Sequence, residues 1–328
     1  MIAHQKQQGV ALLSVMLIVS VLIFISTEVL VTLKSNTRKT AFTLDQMQAR
    51  HYAMGAEQYV IALLEEDFLK DQGKATALDS LDENWNVQRV SYEVGQGDIQ
   101  ITVVDEQGKL NVNNLTDASD NASVTMVKNL LKHFAMDERV AFLIRDWVDS
   151  NQQLSPQGAE DNQYLMMPEP YRTGDRHMAS LSELAALTTV TLHRVRNISS
   201  VMTALPEKTH INLNTASEKV LLSLSDQLSK ADVKAIVDLR SGAPLTTLDD
   251  LKMIPSMNSK VGLLNKLPVG FSSQFYSALI KVQFQSAQFQ MKTLLYRKKD
   301  GIVQVAAREV GPDYHWPLPE HQPESPEG

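Results

Sequence analysis

GVALLSVMLIVSVLIFISTEVLVTL, residues 9–33, decides how the rest of the chain is read. From Val10 onward the run contains no Lys, Arg, Asp, Pro or Gly, and Glu28 is its one formal charge. A bilayer core takes about 20 apolar residues as a helix, so this run is long enough to cross. Ser14, Ser20, Ser26 and Thr27 can donate to carbonyls one turn back, which satisfies their hydroxyls without water. A secretory signal has a shorter apolar core and then small residues at a cleavage site; this run ends in Thr32-Leu33-Lys34 instead. Hydropathy alone therefore reads it as an anchor. Charge specifies orientation poorly, because Lys6 precedes the run while Lys34, Arg38 and Lys39 follow it.

The helical pattern continues past the apolar run. From Thr40 to Lys70, Ala49, Tyr52, Ala56, Tyr59, Val60 and Leu63 recur at three- and four-residue spacing, with Gln48, Arg50, Glu57 and Glu65 between them. No strong breaker lies between Val10 and Met54, so one helix of roughly 60 residues, about 90 Å long, is expected. Its first half belongs in lipid (10–33) and its second half (34–70) on a soluble domain.

Period-two patterns follow. Val90, Tyr92 and Val94 alternate with polar residues, Gly95-Gln96-Gly97 turns the chain, and Ile99, Ile101 and Val103 alternate again, which makes a hairpin. Matching strands lie far downstream: Ala278 to Phe284, Met291 to Arg297 and Ile302 to Arg308, the last two joined by Lys298-Lys299-Asp300-Gly301. A lone hairpin is marginal in water, so the early (71–115) and late (270–311) strands are expected to share one antiparallel sheet over the long helix. Residues 116–269 then form a large helical insertion. Val124 to Phe134, Asp137 to Val148, Leu181 to Leu187, Val190 to Val201, a helix opening at Asn214-Thr215, and Lys230 to Leu239 all read as helical. Residues 312–328, rich in Pro and Glu, read as a disordered tail. The fold class expected is α+β.

Composition excludes some functions. No cysteine is present, so disulfides and thiolate metal sites are impossible. The net charge is −7, and no HExxH, Walker loop or GxSxG occurs; no catalytic residue is assigned. Two constellations remain. In the first, Arg145 to Asn151 is followed by Gly158 to Tyr164, bringing Asp149, Asn151, Glu160 and Asp161 into two acidic groups. Oxygen ligands of this kind suit a hard cation such as calcium, although a helix end with solvated acids has the same spacing. In the second, Ile211 to Ser217 and the helices after it look like a helix-hairpin-helix module. DNA-binding versions offer glycine N–H groups to phosphates. Here the first hairpin, Leu224 to Ser229, has no glycine and carries Asp226, and residues 116–269 hold 16 Lys and Arg against 18 Asp and Glu. A protein-contact module is the expectation, with a membrane-anchored DNA-uptake protein as the alternative.

Gln8-Gly9 before Val10-Ala11-Leu12-Leu13 resembles a type IV prepilin cleavage site. Asp105-x-x-Gly108-Lys109-Leu110-Asn111-Val112-Asn113, Asp146-Trp147-Val148-Asp149 with Gly158-Ala159-Glu160-Asp161, and Ile211-Asn212-Leu213-Asn214-Thr215-Ala216 follow in that order. Together they resemble the K minor pseudopilins of type II secretion systems over almost the whole chain. The resemblance implies a pilin-like fold and a leader, residues 1–9, removed by prepilin peptidase after Gly9, with N-methylation of Val10. It also implies a single-pass inner-membrane protein with its bulk in the periplasm, and a non-enzymatic role at the pseudopilus tip. The implied partners are the I, J and H minor pseudopilins, the major pseudopilin G and exported substrates, with no nucleic acid. Calcium in the inserted domain is implied as well, at Asp149, Asn151, Glu160 and Asp161. A pilin's fifth mature residue is usually Glu; here Ser14 stands in that place, and this absence is usual at the tip.

Overall fold

The structure, a computed structural model, describes residues 8–72, 77–117 and 120–311. Residues 1–7 of the expected leader and the tail 312–328 lie outside the described residues. One uninterrupted helix, α1 (Gln8–Asp71), runs for 64 residues, about 96 Å at 1.5 Å per residue. Its second half buries Ala49, Ala53, Ala56, Val60 and Leu64. Three of these five are alanine, which lets the helix backbone sit close to what it covers. The buried stripe is rotated slightly from the expected one. Tyr59 stays 43% exposed, with its hydroxyl 3.4 Å from that of Tyr92.

The helix covers a five-stranded antiparallel sheet whose strands come from both ends of the chain. β1 (Val90–Val94) and β2 (Gly97–Asp105) form the first hairpin, and Gly95 turns it at φ 61°, a left-handed geometry that glycine adopts without strain. Two short parallel pairs then lead into and out of the insertion: β3 (Leu110–Asn111) with β4 (Met202–Thr203), and β5 (Ile211–Asn212) with β6 (Val269–Gly270). The chain returns to the sheet as β7 (Phe275–Phe284), β8 (Ala287–Arg297) and β9 (Val303–Val310). The order is β1-β2-β7-β8-β9, and the early and late strands meet along β2 and β7, from Gly97 opposite Phe284 to Asp105 opposite Tyr276.

Ile99, Ile101, Val103, Tyr276, Ala278, Ile280, Val282, Met291 and Leu295 face α1 and form one core with it. Each fully buried aliphatic side chain there contributes about 1.5–3 kcal/mol. A register shift at Leu294/Leu295 inserts Ala306 into β9. The bulge changes the phase of alternation, so that Val305 packs against this core while Arg308 also reaches α1, its guanidinium 2.7 Å from Glu57.

The insertion has its own core, built from α2 (Asn121–His133), α3 (Val140–Val148), α4 (Asp161–Tyr164), α5 (Leu192–Ile198), α6 (Glu218–Ser223), α7 (Lys230–Gly242) and α8 (Val261–Leu264). Residues 181–186 and 248–253 are 3-10 rather than α-helical turns. The α6 cap is Ser217, whose hydroxyl accepts from Val220 N–H, and not Asn214 or Thr215. Those two side chains are engaged elsewhere. α7 runs three residues beyond Leu239, through Gly242.

Candidate functional site

Three parts of the molecule bear on function. The first is the apolar half of α1. It is long and apolar enough to span a membrane, and the apolar window is wholly exposed. Val10 begins the exposed face at 66%. Ser14, Ser20 and Thr27 each donate to the carbonyl four residues back, at 2.9, 2.8 and 2.8 Å. At the place where pilins carry a carboxylate, the Ser14 hydroxyl is therefore satisfied by Val10 of its own helix. No unpaired charge is brought into lipid at that level, where an ionised side chain is costly.

The second is the junction between sheet and insertion, and it contains most of the motif residues. Asp105, at the end of β2, accepts from Gln107 N–H at 2.8 Å, from the Ser273 hydroxyl at 2.7 Å and from Asn212 Nδ2 at 3.1 Å. The Thr215 hydroxyl completes its set at 2.5 Å. A methyl group on Gly108 would lie 2.9 Å from that hydroxyl, so glycine is required for the close approach. Asn113 donates to the carbonyls of Met178 and Leu205 at 3.0 and 2.7 Å and accepts from Met178 N–H at 2.8 Å. Asn214 clamps Leu245 by both of its backbone groups, at 3.0 and 2.8 Å. These asparagines act as substitute backbone, pairing with loop peptides that have no ladder of their own. Alongside, Arg297 bridges Asp67 and Asp79. Asp67, Asp79 and Glu83 place carboxylate oxygens within 4.8 Å of one another. Burial, then the Asp79 charge, raises Asp67 to about 6, and burial raises Glu83 to about 7. Arg297, the backbone N–H groups of Ser80 and Ser273, and the Trp85 indole supply this group's donors.

The third part is the acidic loop after α3. Asp149 is buried and accepts from Asn151 N–H and Nδ2 at 3.0 and 2.7 Å. Exposed Asn151 uses its own Oδ1 on Gln153 N–H at 2.7 Å. Asp161 accepts from Thr173 N–H and Oγ1, both at 3.0 Å, and from Arg172 at 3.0 Å. Glu160 differs from all of these. It is 3% exposed, and neither of its carboxylate oxygens has a hydrogen-bond partner among the described residues. Burial, then the charges of Asp146, Asp149, Asp175 and Asp161, pushes it up to about 8. Burial likewise raises Asp146 and Asp149.

The structure gathers Asp149, Glu160 and Asp161 in one loop cluster, spends the Asn151 oxygen on Gln153 N–H, and adds two acids that sequence spacing missed. Asp146 is fully buried and accepts long bonds, 3.2 and 3.3 Å, from Ser155 N–H, with further donors from the Ser155 side chain and the Ala159 backbone. Asp175, left-handed at φ 47°, accepts from Thr173 Oγ1 at 2.7 Å. A signal existed in two glycines. A methyl group on Gly158 would sit 2.0 Å from Asp146 Oδ2, and one on Gly174 would sit 2.9 Å from the Trp147 indole nitrogen. Behind the acids, Trp147, Tyr164 and Tyr171 pack as an aromatic wall. A buried carboxylate with no hydrogen-bond partner, raised by burial and by the charges of Asp146, Asp149, Asp175 and Asp161, fits an oxygen-ligated divalent cation.

A spanning helix packed on an antiparallel sheet, with a helical domain inserted between its strands, defines the chain as a membrane-anchored, pilin-like subunit. The family model described as "Type II secretion system (T2SS), protein K" matches residues 108–207, and a second model of the same description matches residues 211–272. Type II secretion system protein K of Pseudomonas aeruginosa is 29% identical over 319 residues, covering 94% of each chain. That of Pectobacterium carotovorum is 28% identical over 328 residues, covering 94% of this chain and 98% of the relative. A solved chain, GspK in the GspK-GspI-GspJ complex from enterotoxigenic Escherichia coli, superposes with a TM-score of 0.70 at 18% identity. It covers 84% of this chain and 99% of the solved one. The chain belongs to the type II secretion system protein K family and is a minor pseudopilin of that system.

Proposed function

We propose that this chain is the tip subunit of the pseudopilus, capping and initiating the filament that exports folded proteins across the outer membrane. The Ser14 hydroxyl turned onto Val10 O carries this reading. A helix whose upper end satisfies itself needs no neighbour above it, whereas its exposed apolar flank still offers a surface to subunits beside and below. In the reading, prepilin peptidase removes residues 1–9 after Gly9, and Val10 becomes the N-methylated first residue. The anchor lies in the inner membrane and the sheet and insertion lie in the periplasm. The I, J and H minor pseudopilins and the major pseudopilin G are the packing partners, supported by the GspK-GspI-GspJ assembly of the solved relative. The sheet-insertion body is offered to exported substrates.

Calcium belongs to the same proposal. Glu160 and Asp149 would hold the ion, with Asp146 beside them. Asp161, Asp175 and Asn151 fix the loop through Thr173 and Gln153. The bound ion supplies positive charge to a buried acidic centre and so rigidifies the insertion; it performs no chemistry on a substrate.

Intact-mass analysis of the full-length protein extracted from membranes tests the assignment. Loss of residues 1–9 together with one methyl group on Val10 is expected, and co-purification with the I and J subunits should survive Ser14→Ala. An unprocessed chain in cells carrying the peptidase would overturn it, and so would tight, salt-sensitive DNA binding.

A further inference from the structure

The Lys109 side chain, at the centre of the 105–113 motif, takes no part in the bonds of Asp105, Asn113 and Asn214 at the junction. It is buried at the floor of a cleft of about 430 Å³ between the insertion and the outer face of the sheet, a volume within the range of ligand sites, roughly 300–1,000 Å³. Leu279 and Leu294 of the sheet form one wall, and Leu181, Leu192 and Val195 of the insertion form the other. Toward solvent the lining turns polar, with Ser182 and Arg196 exposed and Ser180 and Ser199 half-buried. Its charged side chains are Lys109, Lys292 and Arg196 against Glu106 and Glu309.

We propose that this cleft binds the C-terminal carboxylate of a protein partner whose last residue is apolar. Unspent positive charge is the first argument. Glu106 is already engaged: it accepts from the Ser277 hydroxyl at 2.6 Å and from Lys109 at 3.0 Å, with Lys292 at 3.6 Å. Among the described residues that Lys109 bond is the only hydrogen bond made by the three cationic side chains, and none of them pairs with Glu309. An ammonium has three protons to donate, so Lys109, 6% exposed, keeps two in the interior without an acceptor. Burial lowers its pKa below the ordinary lysine value even with Glu106 beside it, and Lys292 adds to the lowering. A second anion opposes both effects. The cations also step outward, from the Lys109 and Lys292 side chains, 7% and 32% exposed, to exposed Arg196 at the mouth, a gradient that draws a carboxylate inward. Composition of the walls is the second argument. A chain terminus carries its carboxylate and one side chain on the same Cα, and here the cations adjoin leucine and valine, so one apolar residue satisfies both. The rim is the third. The hydroxyls of Ser180, Ser182 and Ser199 suit the amides of the residues before a terminus, whereas a hydrocarbon chain would leave them unused.

Fluorescence anisotropy with the full-length protein in an uncharged detergent tests this. The probes are fluorescein-labelled hexapeptides with a free C-terminal carboxylate, one ending in Leu and one in Phe, and the same peptides ending in an amide. Saturable binding of a free acid is expected, with its amide weaker by about tenfold or more because the charge-assisted bonds are lost. Lys292→Met and Arg196→Met both leave the Lys109–Glu106 pair in place, and each should weaken the free acid by about fivefold. Lys252→Met, outside the cleft lining, should leave its affinity unchanged. No saturable binding by either acid, equal affinity of acid and amide, or affinities indifferent to Lys292→Met and Arg196→Met would overturn the proposal. Decanoate that displaces the peptides and binds more tightly than both would also overturn it, by assigning the cleft to a hydrocarbon carboxylate.

Discussion

The junction and the acidic loop both bury carboxylates, and the chain treats them in opposite ways. Asp105 is raised to about 6, first by burial, but it is offered a backbone N–H, two hydroxyls and an amide. Glu160 faces the Gln163 N–H at the start of α4 but makes no full hydrogen bond among the described residues, and it is pushed higher, to about 8. One carboxylate is finished by protein donors contributed from positions far apart in sequence; the other lacks such donors, and under the proposed reading an ion would take their place. Burial by itself therefore does not mark a ligand site. The marker is burial without donors, because an unpartnered buried polar group costs far more than a bonded one returns. The Asp67-Asp79-Glu83 group teaches the same lesson. Its oxygens are the more tightly gathered, yet Arg297 already supplies the positive charge.

Several substitutions would break or sharpen this contrast. The largest effect is expected at Asn113, fully buried with three bonds to loop peptides. Asn113→Ala strands those peptides and should cost about 4 kcal/mol in chemical denaturation; a loss below 1 kcal/mol would remove the junction's role as a staple. Glu106 comes next. Burial draws its carboxyl upward, but Lys109 and Lys292 outweigh that and hold it well below the usual carboxylate range. A group depressed in this way stabilises the fold above its unfolded pKa and loses that contribution as pH falls toward the folded one. Stability should thus decline below about pH 4.5. Glu106→Gln should be less stable at pH 7 by about 3 kcal/mol and less sensitive to acid, as urea midpoints across pH 3–7 would reveal.

Gly158→Ala should cost about 2 kcal/mol by overpacking against Asp146 and weaken calcium binding at least tenfold by isothermal titration. An affinity equal to the parent's would detach Asp146 from the site. The smallest effect is expected from Asn151→Ala. Asn151 is exposed and braces Asp149 only through its own turn, so calcium affinity should fall less than tenfold and the metal-free fold should change by about 0.5 kcal/mol or less.

Much of the fold was legible because it is local. Uninterrupted helical pattern through Met54 announced α1, and clean alternation at Val90–Val103 and Ala278–Phe284 announced strands whose only economical use was one shared sheet. The junction was not legible, since Asp105, Asn212, Thr215 and Ser273 meet only after the insertion has folded. Spacing opens α6 at Asn214-Thr215, ahead of its Ser217 cap, for the same reason: a side chain that could cap locally is committed to a distant partner. In the acidic loop, Asp149, Glu160 and Asp161 stood out by clustering. Asp175 lies in a loop without periodicity and had only Gly174 beside it as a signal. Of the motif residues that carry the family resemblance, those between 105 and 113 and between 211 and 216 build the junction, and those between 146 and 161 build the acidic loop.

The contrast is tested most directly by thermal unfolding of the full-length protein in detergent, with EDTA or with calcium in large excess. A ligand at 100 times its Kd stabilises by about 2.7 kcal/mol, which for an insertion of this size corresponds to a rise of about 5–10 °C. The account predicts that rise in the wild type and its near-complete loss in Glu160→Gln, whose metal-free melting temperature should equal or exceed the parent's because the amide need not be protonated on folding as the buried carboxyl, raised to about 8, must be. Equal melting temperatures with and without calcium in the wild type, or a full calcium response retained by Glu160→Gln, would contradict it.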